Sequence, residues 1–325
     1  MSIRSPAITV ALVALMIAPL FATAGRAQES EVPGRIAFIR DGGIWVWENG
    51  DATRLLKQDG VGDARWSPDG ESLLFVDEGN SYSDLALLNV QTGLPTKVTD
   101  NQSGSEVGSL EYTEESSWAL DPSWSASGVI GYVSDAPGNG TPFALWLMDG
   151  PDESTAYPAP LLTNEDNIDS VSLSGDGTVA AYVLRDRNPQ TGTSDISVWL
   201  RDLATGETFL AAQSGGEAFD PAISPDGASI AVAIREAGGK TDVWLVDRET
   251  LDRKRVTRDA EALAPAWSPD GKWLAFLKME DYQFEVWVAP VTDGDASEPF
   301  KLLSVNGLDS RSGLSWWMPP DDPAP

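Results

Sequence analysis

Cysteine and histidine are both absent from the 325 residues. No disulfide can form, so cysteine usage carries no information on the redox compartment. Zinc sites built from histidine or cysteine, cysteine nucleophiles and every triad that needs an imidazole base are excluded. Chemistry is left to carboxylates, lysine, tyrosine, serine or threonine, or to a hard metal ion held by oxygen. Positive charge is also scarce: 22 Lys and Arg stand against 50 Asp and Glu, a formal net charge of −28. Such a surface repels nucleic acid phosphates and anionic lipid headgroups, and it attracts cations or a basic partner. Most of these charges read equally well as a coat that prevents association. Beyond the N-terminal segment no stretch keeps a helical apolar period. What is plentiful is tryptophan, 13 residues within a hydrophobic content of 42%, which suits a packed protein and excludes wholesale disorder.

The N-terminal segment reads as a secretory signal. Arg4 supplies a short basic region, residues 8–21 an apolar one, and Ala22-Thr-Ala24 or Gly25-Arg-Ala27 small residues for cleavage. A retained anchor is the alternative, since residues 8–24 approach a spanning length. No Cys follows the apolar run, so a lipoprotein is excluded. The expected division is a signal peptide over residues 1–27, a linker over 28–33, one repeat domain over 34–319 and an acidic tail over 320–325. The mature chain is expected in the periplasm or outside the cell, with no membrane span after cleavage.

One phrase organises the rest. It appears as Asp63-Ala-Arg-Trp-Ser-Pro-Asp-Gly70, Asp121-Pro-Ser-Trp-Ser-Ala-Ser-Gly128 and Val171-Ser-Leu-Ser-Gly-Asp-Gly177. It returns as Asp220-Pro-Ala-Ile-Ser-Pro-Asp-Gly227 and Ala264-Pro-Ala-Trp-Ser-Pro-Asp-Gly271, with a degenerate copy at Leu314-Ser-Trp-Trp-Met-Pro-Pro-Asp321. Aligned on Trp66, Trp124, Leu173, Ile223, Trp267 and Trp317, the copies are 58, 49, 50, 44 and 50 residues apart. That is the period of a propeller blade. An apolar residue ends one strand, Pro-Asp-Gly turns the chain, and an apolar run begins the return strand.

The strands between copies also repeat. Ser72-Leu-Leu-Phe-Val76, Ser229-Ile-Ala-Val-Ala-Ile234 and Trp273-Leu-Ala-Phe-Leu277 are second strands. Third strands share a Trp template, at Trp45 or Trp47, Trp146, Trp199, Trp244 and Trp287. Fourth strands are expected at Thr53-Arg-Leu-Leu56, Pro95-Thr-Lys-Val-Thr99, Ala159-Pro-Leu-Leu-Thr163, Glu207-Thr-Phe-Leu210, Arg253-Lys-Arg-Val-Thr257 and Phe300-Lys-Leu-Leu303. The first blade lacks its Trp-Ser-Pro-Asp-Gly strand, and residues 312–319 supply it, which closes the ring and removes two open edges. The expected fold is therefore all-β, a six-bladed propeller of four-stranded antiparallel blades.

These phrases resemble the WD40-like repeats of the TolB-type six-bladed β-propeller. The resemblance covers residues 34–319, and three copies keep Ser-Pro-Asp-Gly intact. It implies a propeller without the small α/β domain that precedes it in TolB, and an exported scaffold that binds a protein or peptide. It also implies that the strand ending at the Trp position is innermost, so the residues just before it stand at a channel mouth.

Those residues are Asp63, Asp121, Asp169 and Asp220, with Ala264 and Leu314 in the other two blades. Four converging carboxylates would suit Ca²⁺ or the basic segment of a partner. Alternatively each Asp shapes only the loop at its strand's start. Asp69, Asp226 and Asp270, at the opposite face, are expected to serve the turns alone, and the third-strand Trp series to pack between sheets. An insertion over residues 100–118, rich in Ser, Gly and Glu, should project at the Asp-bearing mouth, as a lid, a partner loop or a simple length variation. Arg253, Lys254 and Arg255 form a basic cluster on an outer strand, read as an edge that resists aggregation.

Two functions remain. The first is a non-catalytic, monomeric scaffold, without cofactor unless Ca²⁺ binds, engaging an envelope protein or peptide and no nucleic acid. The second is a metal-dependent enzyme acting on carbohydrates or lactones through carboxylates.

Overall fold

The computed structural model describes residues 32–138, 141–152, 167–187, 194–212 and 216–319. They form six antiparallel sheets around a central channel. The expected signal peptide, most of the linker and the acidic tail lie outside the described residues.

The first sheet holds β1 (Arg35–Arg40), β2 (Gly43–Glu48) and β3 (Asp51–Lys57). Blade two holds β4 (Val61–Trp66), β5 (Ser72–Glu78), β6 (Ser83–Asn89) and β7 (Pro95–Lys97). Blade three holds β8 (Ala119–Trp124), β9 (Val129–Ser134) and β10 (Ala144–Asp149). Its expected outer strand at residues 159–163 lies outside the described residues. Blade four holds β11 (Asn167–Leu173), β12 (Val179–Arg187), β13 (Ser194–Asp202) and β14 (Thr208–Ala212). Blade five holds β15 (Glu217–Ile223), β16 (Ser229–Arg235), β17 (Thr241–Asp247) and β18 (Arg253–Arg255). Blade six holds β19 (Ala262–Trp267), β20 (Trp273–Glu280), β21 (Gln283–Thr292), a short extra β22 (Asp295–Ala296) and β23 (Phe300–Leu303).

The last strand, β24 (Leu314–Trp317), pairs with β1 and completes the first blade. Its register corrects the alignment read from the sequence. Trp316, not Trp317, lies opposite Ile36, as Trp66 lies opposite Leu73 in blade two. The Trp316 indole donates to the Pro33 carbonyl at 2.9 Å, and the Trp317 indole to the Pro68 carbonyl at 3.1 Å. The strand thus ties the first blade to both the chain's start and the neighbouring turn.

Second strands are apolar along their central residues because both faces are covered there. In β1, Ile36 and Phe38 enter the apolar cluster shared with blade six, while Ala37 and Ile39 enter the one shared with blade two. Six such clusters lie between successive blades, one at each junction. Each third-strand Trp plugs the junction with the preceding blade: Trp45 and Trp47, Trp146, Trp199, Trp244 and Trp287 in turn. Blade two places Ala86 at that position.

The repeated turn is held by one motif. Ser67 Oγ donates to Asp69 Oδ1 at 2.6 Å and accepts from the Ser72 N–H, while Asp69 accepts from the Glu71 N–H. Ser174 with Asp176, Ser224 with Asp226 and Ser268 with Asp270 repeat the Ser–Asp bond at the same length. In blade three Ser127 takes the place of the Asp and meets Ser125 at 2.9 Å. These hydrogen bonds hold the Asp69, Asp176 and Asp226 carboxyls below the usual range. The turn aspartates therefore do structural work, as the sequence suggested.

Candidate functional site

The innermost strands β24, β4, β8, β11, β15 and β19 surround the channel, each touching the next. All but β24 slip register midway along their pairing with the second strand. Such a bulge places an extra, unpaired residue on one strand and bends it. The residues at this point are Asp63, Asp121, Ser170, Asp220 and Ala264, with φ of 47°, 48°, 24°, 50° and 53°. In blade one Gly313, at φ 65°, holds the equivalent position ahead of β24. Left-handed backbone suits Gly, and Asp bears it better than most other residues. Local geometry alone therefore gives one reason for Asp in three blades.

This ring alters two expectations. Gly313 rather than Leu314 takes the place in blade one, following from the shift to Trp316. In blade four Ser170 takes it, and Asp169 stands one residue earlier, ion-paired to Arg185 on β12 and about one third exposed. In five of the six blades the ring also lies part-way along the innermost strand instead of at its end. Its carboxylates form a waist between two openings.

On the side of the blade-crossing loops, a cavity of about 580 Å³ is lined by Asp63, Asp41, Glu78, Asp309 and Arg311. On the side of the Ser-Pro-Asp-Gly turns, a second of about 410 Å³ has Asp121 and Asp220 at its inner end. Its wall includes Trp66, Trp124, Trp267 and Trp316, with Pro68, Pro225 and Pro269 at the turns. One opening is thus polar and acidic, the other aromatic.

Basic residues that the sequence reading passed over temper the charge. Arg65 Nη2 donates to Asp63 at 3.2 Å, and Nη1 donates to the Ser312 carbonyl at 3.0 Å, joining blade two to the closing segment. Arg185 pairs with Asp169, and Arg311 with Asp309 at 3.0 Å. Arg65 was visible inside the second blade's own phrase. Asp309 and Arg311 lie in a loop outside every repeat, so no periodicity announces them.

Asp121 and Asp220 have no cation of their own among the described ion pairs. Asp220 Oδ2 accepts the Ala264 N–H at 3.0 Å. Burial raises the Asp220 carboxyl to about 6, against that hydrogen bond, and Asp169 adds to the rise. Burial likewise raises Asp63 to about 6, with Arg65 opposing and Asp309 and Asp220 adding. Asp121 is pushed well above the carboxylate range by burial, then by Asp63 and Asp169. The side chains still meet channel water: Asp63 is 14% exposed while ringed by protein. Among the described residues no three carboxylates converge closely enough to hold a metal ion.

The insertion follows blade two on the blade-crossing side and carries the one α-helix among the described residues, α1 (Leu110–Glu115). Ser109 caps it by accepting the Tyr112 N–H, and Tyr112 is buried. Asn101 is held by Asp84 and Ser83, and the Trp118 N–H donates to Asp135. These anchors fasten it over blades two and three, and none of its residues lines either cavity. The basic cluster is paired: Lys254 with Asp295, and Arg255 with Glu236 and over the Trp244 ring.

This geometry can be set beside known proteins. No protein-family model matches the chain. TolB from Acinetobacter baumannii superposes at a TM-score of 0.64 and 17% identity, covering 87% of this chain and 66% of that one. A putative TolB from Agrobacterium tumefaciens gives 0.62 and 17%, covering 88% and 94%. The fold is that of the TolB propeller. In sequence, the Tol-Pal system protein TolB of Actinobacillus succinogenes is 25% identical over 43% of this chain and 34% of its own length. The uncharacterized peptidase YuxL of Bacillus subtilis is 24% identical over 43% of this chain and 22% of its own. The matches thus span a fifth to a third of these curated relatives. An oligogalacturonate lyase from Vibrio parahaemolyticus shares the propeller at a TM-score of 0.51 and 15% identity, covering 82% and 74%. Likeness at this level describes architecture and not activity.

Proposed function

We propose that the protein is an exported, non-catalytic binding scaffold that engages a protein or peptide of the cell envelope at its channel. The observation that carries this reading is the acidic waist in a closed TolB-like ring. Asp63 lines the cavity on one side and Asp121 and Asp220 the cavity on the other, with Asp169 one residue outside the ring and paired to Arg185. A basic segment of a partner entering there would find fixed charge on rigid strands. Export rests on the basic, apolar and small-residue pattern of residues 1–27, and no described helix is long and apolar enough to cross a membrane.

An enzyme acting through a metal finds less support. Histidine is missing from the chain, and the described carboxylates form no metal-sized cluster. The test is affinity capture from envelope extract with the mature chain, alongside the Asp63→Asn/Asp169→Asn double variant. A specific partner retained by the first and lost by the second, with both melting alike, supports the scaffold. Equal capture by both would remove the waist from the account. Turnover of sugars or lactones that Ca²⁺ restores after chelation would replace the scaffold with an enzyme.

A further inference from the structure

The charges of the channel do not cancel. Asp63 is paired with Arg65, Asp169 with Arg185 and Asp309 with Arg311. Asp121 makes no ion pair and no hydrogen bond among the described contacts, and Asp220 has only the Ala264 N–H. These two carboxylates, from blades three and five, both line the aromatic cavity, and Asp220 lies close enough to raise the proton affinity of Asp121. A second feature of the same cavity is independent of charge. Its wall is built from indole rings and proline rings of successive blades. The Trp124 indole N–H is taken up by the Gly128 carbonyl, that of Trp267 by Ala222 and that of Trp316 by Pro33. With those three donors bonded within the protein, these rings offer apolar faces, set among serine side chains and the unpartnered Trp66 indole N–H, so the cavity presents more apolar than polar surface.

A volume of about 410 Å³ accepts one side chain or a small molecule. A partly aromatic wall leading to two carboxylates that form no direct ion pair selects a particular chemistry. We propose that the cavity on the turn side binds a ligand with an apolar or aromatic body and a single cationic head, the body against the tryptophans and the ammonium or guanidinium between Asp121 and Asp220. The apolar body is desolvated against rings that also favour cations, and the head meets carboxyls already removed from bulk water, whose ionised form it stabilises. Arg65 lines the same cavity and its charge favours the ionised form of both carboxylates, but Asp63 and the Ser312 carbonyl hold its guanidinium, so it forms no ion pair with either. The proposal deepens the scaffold reading by naming the chemistry a partner's inserted group would carry, and it rests on the channel being the binding site.

The test uses the purified mature chain and three probes of one shape: 4-phenylbutylamine, 4-phenylbutanol and 4-phenylbutanoic acid, titrated by calorimetry at neutral pH. The amine is expected to saturate one site, the alcohol to bind at least about tenfold more weakly, and the acid not at all. Asp121→Asn should weaken the amine about tenfold or more and leave the alcohol unchanged, with melting temperature unaltered or raised. Trp124→Leu should weaken both amine and alcohol. Equal affinity for amine and alcohol, or an amine affinity untouched in Asp121→Asn, would overturn the proposal. The titration needs no physiological partner, so it can fail while capture from envelope extract succeeds, and the two readings are tested separately.

Discussion

Asp220 shows how one residue can serve the fold and the channel at opposite cost. Its backbone takes the left-handed turn of the bulge and its carboxylate accepts the Ala264 N–H of the next blade. Yet burial lifts its carboxyl to about 6, so the charged form is penalised in the folded state. The sign follows directly. A carboxyl raised above its unfolded value holds its proton longer when folded, so stability falls as pH rises from about 4 to about 6. Asp63, also at about 6, acts in the same window. The turn aspartates Asp69, Asp176 and Asp226 are shifted down and act below it. We therefore expect the protein to melt higher at pH 5 than at pH 7. Asp220→Asn, which keeps an acceptor for Ala264, should flatten that slope and stabilise the protein at pH 7 by about 1–3 kcal/mol. Thermal melts of both proteins across this range check it; an unchanged slope would show that the charge is better solvated than its position implies.

At the scale of the element, the closing strand joins the chain's end to its start. Gly70 of the second blade's turn lies at φ 70°, and a Cβ there would sit 2.1–2.5 Å from atoms of the Trp317 ring. The Arg35 guanidinium stacks 4.0 Å from that ring's centre and donates to the Gly70 carbonyl. Gly70→Ala should therefore both strain the turn and push β24 away, lowering stability by about 2–4 kcal/mol in denaturant unfolding. The equivalent Gly227, whose nearest neighbour is the end of a flexible Arg248 at 3.3 Å, should suffer less on the same change. Similar losses at both would mean that backbone strain, and not the clasp, sets the effect.

Most of this element structure was legible in the sequence, because the central residues of each second strand are apolar on both faces and three turns keep Ser-Pro-Asp-Gly intact while the others vary it. Two registers were not. Trp316 and Trp317 are adjacent, so composition cannot choose between them; pairing with Ile36 does. Asp169 carries the expected charge one residue before the bulge, and only the backbone at Ser170 reveals the offset. Arg65 and Arg185 reach the channel through side-chain direction, which repeat spacing does not encode. The insertion's short helix is missing from the sequence reading because six residues are too few to show a helical period.

Across the whole molecule the dominant fact is excess negative charge, −28 over 325 residues. Self-repulsion of that size opposes the compact state, and exposed charges are screened within about 10 Å at 0.1 M salt. Melting temperature should rise by a few degrees from low ionic strength to about 0.5 M NaCl. A fall with salt would mean that the surface ion pairs, such as Arg235 with Glu217, outweigh the net repulsion. The same field would draw a basic partner toward the ring, where the channel offers the one axis common to all six blades.

The central claim is that binding happens in that channel. The most direct measurement is photo-cross-linking in the envelope of the producing cell, with a photoreactive residue placed either at Ala126, which lines the aromatic cavity, or at Leu251, exposed on an outer hairpin. The account predicts one discrete adduct from Ala126 and none from Leu251. That adduct should be lost when Asp121→Asn and Asp220→Asn are combined in a chain that still folds. An adduct from Leu251 alone, or an Ala126 adduct indifferent to those carboxylates, would contradict it.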